Sequence, residues 1–167
     1  AVTDAIFSNG AIAFSQSFNI YSQSGKSHNA NVYSNNNWAC SQSGTINGNL
    51  YVQGNAANSA TCSVTGAVWT GGTFSANQAG STYGSLESAA TGNNVITLST
   101  GVTVSGNVTA AGTINQGGAT IGGTVHQSQS GLSGPPSQPF PTWNFNQSTW
   151  QSAGYTSFLT ASTCSDL

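Results

Sequence analysis

The chain has 167 residues, a formal net charge of −2 and only 2% charged residues. With Lys26 as its single Lys or Arg, it has too few cations to neutralise nucleic-acid phosphates, so no nucleic-acid partner is expected. The acids Asp4, Glu87 and Asp166 lie far apart in the sequence, which argues against paired-carboxylate hydrolysis and against an acidic metal cage. We therefore predict neither a metal nor a cofactor.

The composition is low in complexity, because Ser, Thr, Asn, Gln and Gly make up 96 of the 167 residues. Disordered chains share this bias. A folded domain is favoured here, since 37% of the residues are hydrophobic and the apolar residues recur at a fixed period. The length fits one domain. No apolar run is long enough to span a membrane. The sequence shows no signal peptide or initiator Met, which is typical of a mature or excised piece.

Residues 1–29 contain one strand-like stretch, Ala11-Ile12-Ala13-Phe14, and are predicted to form an irregular N-terminal segment or cap. From residue 30 a repeat begins, with an apolar anchor preceded two places earlier by a small residue. The separations of successive anchors are 18, 18, 18, 22 and 17 residues. The anchors are Val32, Leu50, Val68, Leu86, Val108 and Val125.

Other columns keep the same phase. Glycines follow three of the anchors by four places, where a corner would need positive φ or a close backbone approach. The columns are Ile46, Val64, Thr82, Val104 and Ile121 four places before an anchor, Thr45, Ser63, Ser81, Thr103 and Thr120 five places before, Trp38, Ala56, Phe74 and Ile114 six places after, and the glycines Gly54, Gly72 and Gly112.

Three short strands and three corners use about 18 residues, which is the period of a β-solenoid whose strands alternate inward and outward side chains. We predict an all-β, single-domain β-solenoid (β-helix) of about six turns over residues 30–134. The longer period after Leu86 predicts an inserted loop over 89–94. Four prolines then break the repeat, and residues 135–167 are predicted to form a Pro/aromatic C-terminal cap with a short helix.

The three cysteines match no zinc motif, so a disulfide and an oxidising, extracellular compartment are favoured. Cys40 and Cys62 fall in adjacent turns and are the predicted pair. Cys164 then remains as an intermolecular thiol, although a pairing of Cys164 with Cys40 or Cys62 stays open. Two sequons, at Asn107 and Asn146, are candidate N-glycosylation sites.

Tyr33, Tyr51 and Trp69 each follow an inward anchor, so they are predicted to form one outward aromatic column that ends at Glu87, Thr109 and His126. Such a column stacks sugar rings, forms a subunit interface, or packs under a terminal segment. The Ser/Thr column is a hydroxyl array of the kind that ice-binding solenoids present, or simply suits exposed strands. His28 and His126 are the only general-base candidates, and no acid accompanies either.

Several strings resemble the Gly-Asn-Val repeats of PilX-like pilus-assembly proteins: Ala5-Ile6-Phe7-Ser8-Asn9-Gly10, Gly48-Asn49-Leu50-Tyr51-Val52-Gln53-Gly54, Ser105-Gly106-Asn107-Val108-Thr109-Ala110-Ala111-Gly112, Phe140-Pro141-Thr142-Trp143 and Trp150-Gln151-Ser152-Ala153-Gly154-Tyr155. The resemblance covers about residues 5–155. Those proteins resemble minor pilins with a β-solenoid ectodomain, and polymerising bactofilins share the same stacking principle. The apolar N-terminal helix of pilins is not among these 167 residues.

Two classes of function follow from these expectations. The first is a non-enzymatic structural protein, a subunit or ectodomain of a bacterial surface filament or pilus, whose partners are copies of itself or other pilus subunits. The second is a surface adhesin or carbohydrate-binding module that binds glycans through the aromatic column or the loop. An ice-binding protein is a third reading, and an enzyme is a distant one.

Overall fold

The computed structural model describes residues 4–22 and 30–139. Every regular element in these ranges is a β-strand, and every strand pair is parallel. The chain places one strand on each of three faces before it begins the next turn. This is the predicted β-solenoid.

The strands are grouped by face, in the order in which the chain visits the faces. The first face holds β1 (Ile6–Ser8), β4 (Val32–Ser34), β7 (Leu50–Val52), the second halves of β9 (Cys62–Thr70) and β11 (Thr82–Ser88), β14 (Val108–Ala110) and β17 (Val125–His126). The second face holds β2 (Ile12–Phe14), β5 (Trp38–Cys40), β8 (Ala56–Asn58), β10 (Phe74–Ala76), β12 (Ile96–Leu98) and β15 (Ile114–Asn115). The third face holds β3 (Phe18–Ile20), β6 (Gly44–Ile46), the first halves of β9 and β11, β13 (Thr103–Val104) and β16 (Thr120–Ile121).

The predicted anchors lie in register on the first face and point inward. The register runs from Val32 through Leu50, Val68 and Leu86 to Val108, and each of these side chains is buried. Five consecutive aliphatic side chains are therefore removed from water along one line. This column is one side of the continuous apolar core on which the stack of short strands depends.

The inserted loop is also where the period predicts it. Seven residues separate β11 from β12, whereas three separate β9 from β10 at the same corner one turn earlier. The register is unaffected, because Phe74, Ile96 and Ile114 still follow one another in the second face. The extra residues are accommodated outside the ladder.

One predicted column is wrong at a single turn. The partner of Val64 is Tyr83, because the register shifts at a β-bulge between Tyr83 and Ser85. Tyr83 is therefore the inward residue, with 2% of its surface exposed, and Thr82 points outward. The same shift removes Ser81 from the predicted hydroxyl column, where it is replaced by Thr82, and leaves Ser81 buried.

The N-terminal segment is more regular than the sequence pattern predicts. Its strands β1, β2 and β3 form a turn in register with the next turn on all three faces, so Ile6 pairs with Val32 and Ile12 with Trp38. The ladder therefore begins before residue 30. The predicted helix of the C-terminal cap lies outside the residues that the structure describes.

Asparagines tie successive turns together at the corner before the second face. The side-chain oxygen of Asn37 accepts a hydrogen bond from the N–H of Asn55 at 2.8 Å, and Asn55 accepts one from Thr73 at 2.9 Å. A Cβ at Gly54 or Gly72 would collide with the asparagine oxygen below. Neither glycine has positive φ, so these corners need glycine for the close approach. The corner before the first face repeats the bond with Asn31 and Asn49, Asn49 and Ala67, and Asn107 and Thr124.

A polar chain crosses the interior of the solenoid. The Trp38 indole N–H donates to the side-chain oxygen of Asn58 at 2.8 Å, and the Asn58 amide donates to the Tyr83 hydroxyl at 3.0 Å. Asn58 is 1% exposed, so both ends of its amide are satisfied inside the core. Burial raises the pKa of Tyr83 to about 12, against the opposing effect of the hydrogen bonds from Asn58 and Ser81.

Candidate functional site

The predicted aromatic column exists and lies on the first face. Tyr33, Tyr51 and Trp69 occupy one register position, with ring centroids 5.6 Å apart for the tyrosine pair and 6.3 Å apart for Tyr51 and Trp69. Phe7 extends the column downward, at 6.2 Å from Tyr33. We call these four residues the aromatic ladder. Above Trp69 the same position is occupied by Glu87, Thr109 and His126, as predicted.

Residues 132–139 run down the outside of the aromatic ladder, and we call this segment the strap. The Trp69 indole N–H donates to the carbonyl of Ser133 at 2.8 Å, and the Tyr33 hydroxyl donates to the carbonyl of Pro136. Between them, Gln53 donates to the carbonyl of Pro135 at 3.3 Å. Tyr33 is only 3% exposed as a result. Of the three uses predicted for the column, packing under a terminal segment is the arrangement in this structure.

The lower end of the strap is held by an amide pair. Asn35 donates its side-chain N–H to the carbonyl of Gln138 at 2.7 Å and accepts the backbone N–H of Gln138 at 3.0 Å. At the level of Gly71, the strap residue Gly134 comes so close that a Cβ would overlap the solenoid backbone. The strap therefore follows the surface from the turn of Trp69 to the turn of Tyr33.

The only carboxylate beside the strap within the described ranges is Asp4. Burial raises the pKa of Asp4, while a hydrogen bond from the Gln138 side chain lowers it, and the burial effect is larger. One carboxylate oxygen of Asp4 is buried without a hydrogen-bond partner. Burial also raises the pKa of Tyr33, and the negative charge of Asp4 raises it further. The surroundings at the lower end of the strap thus disfavour ionisation of both Asp4 and Tyr33.

The Cys40–Cys62 disulfide is confirmed. Its two Cα atoms are 6.5 Å apart, and both side chains are buried in the core. Cys40 stands beside Asn58, and Cys62 stands beside Gly44, so the bridge crosses the corner between the second and third faces and joins two successive turns. Cys164 and the Asn146 sequon lie outside the described residues.

Two of the remaining predicted residues, Asn107 and His126, are linked through the hydroxyl of Thr124. Asn107 is exposed, and its side-chain oxygen accepts hydrogen bonds from the backbone N–H and the hydroxyl of Thr124. His126 contacts the Thr124 hydroxyl at 2.7 Å, and His28 lies outside the described residues. Across residues 4–22 and 30–139, no three His, Cys, Asp or Glu side chains come together as a metal site. The same ranges contain no helix long and apolar enough to cross a bilayer.

The hydroxyl array on the third face is continuous but uneven. Thr45, Ser63, Thr82, Thr103 and Thr120 follow one another across its strands. The bulge at Tyr83 interrupts the spacing, and a shallow cavity of about 230 Å³ opens beside it, lined by Val64, Thr65, Thr82, Tyr83, Gly84, Thr103 and Ser105.

Two features of the site were not predicted from the sequence. The strap is one, because the prolines of residues 135–139 mark a break in the repeat without showing where the chain goes next. The corner asparagines are the other, although their 18-residue recurrence beside glycine is a usable signal. No protein-family model, curated protein or solved structure matches this chain.

Proposed function

We propose that this chain is a non-enzymatic structural protein, a subunit or ectodomain of an extracellular filament or pilus on a bacterial surface. One observation carries the proposal: among the residues that the structure describes, parallel ladders run along all three faces and end in strands without an outer strand partner. The described part of the second face, for example, begins at β2 and ends at β15. Within the described ranges no further strand covers the terminal strands, although at the upper end the Ile114 N–H donates to the side-chain oxygen of Gln127 at 2.8 Å.

The two ends suit contact between copies. Four of the five turns between Val32 and Val125 span 17 or 18 residues, so the lower edge of one copy would continue the upper edge of another as a further turn. This is a head-to-tail contact, which generates a filament when it does not close into a ring. A net charge of −2 opposes it only weakly. Its partners would be copies of itself or other subunits of the same filament.

The disulfide supports a location outside the cytoplasm, at the cell surface. Disulfides persist in oxidising compartments and are rare where thiols are kept reduced. Cys40 and Cys62 are both buried and bridged. The resemblance of the Gly-Asn strings to PilX-like pilus proteins points the same way.

The alternative is an adhesin or carbohydrate-binding module that uses the aromatic ladder. Sugar rings stack on exposed aromatic faces. Here the strap lies over that surface, and Tyr33 is almost completely buried. A glycan would have to displace the strap first, so the structural function is better supported.

Electron microscopy of the purified chain at neutral pH tests the proposal. We expect fibres built from stacked prisms. Ile121 points inward in the last turn, so Ile121→Lys places a charge at the upper end and should abolish fibres. Thr103→Lys makes the same charge change on an exposed side of the turn below and is the matched control. Dispersed particles for the unmodified chain, or equal fibres for both variants, would contradict end-to-end stacking.

A further inference from the structure

The aromatic ladder and its polar neighbours bind the strap mainly through the strap's backbone. The groups that receive hydrogen bonds from the solenoid are four carbonyl oxygens, those of Ser133, Pro135, Pro136 and Gln138. The donors are an indole, a phenol and two amides. Aromatic-lined grooves that bind polyproline II peptides use this combination of flat rings and side-chain donors.

The spacing of the contacts fits a polyproline II helix. Ser133 and Pro136 are three residues apart and both face the ladder, and a polyproline II helix has three residues per turn. Three such residues rise about 9 Å. Trp69 and Tyr33 are two solenoid turns apart, which is a rise of about 9.6 Å at the strand spacing of a sheet. One turn of the peptide therefore matches two turns of the solenoid.

The residue types of the strap agree with this spacing. Pro135 is buried between the two anchoring carbonyls, and proline restricts the chain to the polyproline II region before it binds. Gly134 allows the close approach to Gly71. The preformed backbone lowers the entropy cost of docking.

We propose that the aromatic ladder is a recognition site for polyproline II peptide, and that it takes the strap of a second copy of this chain in place of its own. The strap of another copy offers the same carbonyls at the same spacing, so the contacts in the exchanged complex are identical. Such exchange of an identical element is a low-cost route to association.

The connection between the solenoid and the strap suits exchange. Ser128 and Gln129 still donate backbone hydrogen bonds to the solenoid, at 2.9 and 3.0 Å. Ser130 and Gly131 follow, both exposed, and Gly131 has a φ of +80° with open space where a Cβ would be. A change of torsion at Gly131 redirects the whole strap. This inference does not depend on filaments, since exchange would also link two isolated prisms.

The recognition site is tested with a fluorescein-labelled peptide of residues 131–139, titrated into the full chain and followed by anisotropy. The host is a variant whose own strap is weakened by Pro135→Gly and Pro136→Gly. We expect saturable binding to this host and much weaker binding to the unmodified chain, whose own strap competes. Adding Trp69→Phe to the host removes one donor and should weaken binding about fivefold.

A control peptide with glycine at both central prolines should not bind, because it lacks the preformed backbone. Circular dichroism and the thermal transition verify that each host is folded. Failure of a folded host to bind the peptide at millimolar concentration would overturn the recognition site.

The second copy is tested by deleting Ser130 and Gly131 in a Cys164→Ser background, which removes disulfide-linked dimers. The deletion shortens the connection by up to about 7 Å, so a strap no longer reaches its own ladder. We expect a dimer in sedimentation that Trp69→Phe weakens, because each exchanged strap then lacks one hydrogen-bond donor. Ser130→Gly, which changes the same connection without shortening it, is the matched control and should keep the oligomeric state of the unmodified chain. A shortened variant that stays monomeric would overturn exchange, whether or not longer fibres form by end stacking.

Discussion

Asn58 donates its side-chain N–H to the hydroxyl of Tyr83 at 3.0 Å in the interior of the solenoid. The two residues belong to different faces, and the bond exists because the β-bulge turns Tyr83 inward where the other turns carry an aliphatic residue. A buried amide without its acceptor keeps the full cost of its lost hydration. The hydrogen bond therefore stabilises the β-bulge and satisfies the buried amide of Asn58 at the same time.

Tyr83→Phe should lower the free energy of unfolding by about 1–3 kcal/mol, because it leaves the Asn58 amide unsatisfied in the core. Denaturant titration measures the change. Tyr51→Phe is the control, since the Tyr51 hydroxyl accepts from Asn49 at a half-buried position where water replaces it. Equal losses for the two variants would contradict a special role for the buried bond.

Tyr83 should also make the fold sensitive to alkali. Its pKa is about 12 in the folded chain and about 10 in a solvated tyrosine, so between these values the unfolded state loses a proton that the folded state keeps. The stability contribution is complete below pH 10 and is lost as the pH rises from 10 to 12. Thermal unfolding across this range should fall less steeply for Tyr83→Phe than for the unmodified chain. Equal pH dependence of stability in the two proteins would contradict a role for Tyr83 ionisation.

Gly54→Ala should destabilise the solenoid by about 1–3 kcal/mol, because the new Cβ overlaps the side-chain oxygen of Asn37. Adding Asn37→Ala should recover part of the loss, since it removes the atom that is struck. Gly10→Ala is the control, with its nearest neighbour 3.9 Å away. The comparison uses denaturant midpoints, provided that the slopes of the transitions are unchanged. A Gly54→Ala variant as stable as the unmodified chain would contradict the predicted overlap.

Asp4→Asn should hold the strap more firmly at neutral pH. The raised pKa of Asp4 means that ionisation opposes the folded arrangement, so its unfavourable effect appears as the pH rises above the ordinary carboxyl value of 3.8. Hydrogen exchange of the Gln138 amide, which is bonded to Asn35, reports the strap alone. The variant should exchange more slowly than the unmodified chain near pH 7 and equally below pH 3.8. Faster exchange of the Gln138 amide in the variant at neutral pH would contradict the prediction.

Replacing both disulfide cysteines, as Cys40→Ala with Cys62→Ala, should lower the stability by about 3 kcal/mol, the loop-entropy value for a bridge spanning 22 residues. The double variant isolates the bridge from any effect of a single free thiol. Chemical unfolding of the oxidised and substituted chains gives the difference. A gain in stability on removal would contradict the expectation.

The fold could be predicted because each turn repeats the same local rule. An anchor such as Leu50 must be buried on a strand with period two, and its recurrence after 18 residues leaves few architectures other than a stack. Tyr83 escaped prediction because its bulge shifts the register by one residue, which no periodic pattern shows. A one-residue shift exchanges the inward and outward side chains, so Tyr83 points inward and Thr82 points outward.

The aromatic column followed from the same alternation, because Tyr33, Tyr51 and Trp69 each stand next to an inward anchor. Its cover did not. The contact between Trp69 and Ser133 joins residues that are 64 positions apart and belongs to no repeat. Long-range docking of a non-periodic segment is decided by shape and donors that a single sequence does not display.

The inserted loop has a consequence for engineering. Four residues more than at the equivalent corner are held between β11 and β12 while Ile96 keeps its place in the ladder. Because the cost of closing a loop grows only slowly with its length, this corner is a natural position for grafting foreign peptides. An epitope or affinity tag inserted there would project sideways from the prism. In a fibre of stacked copies it would be displayed once per subunit along the whole length.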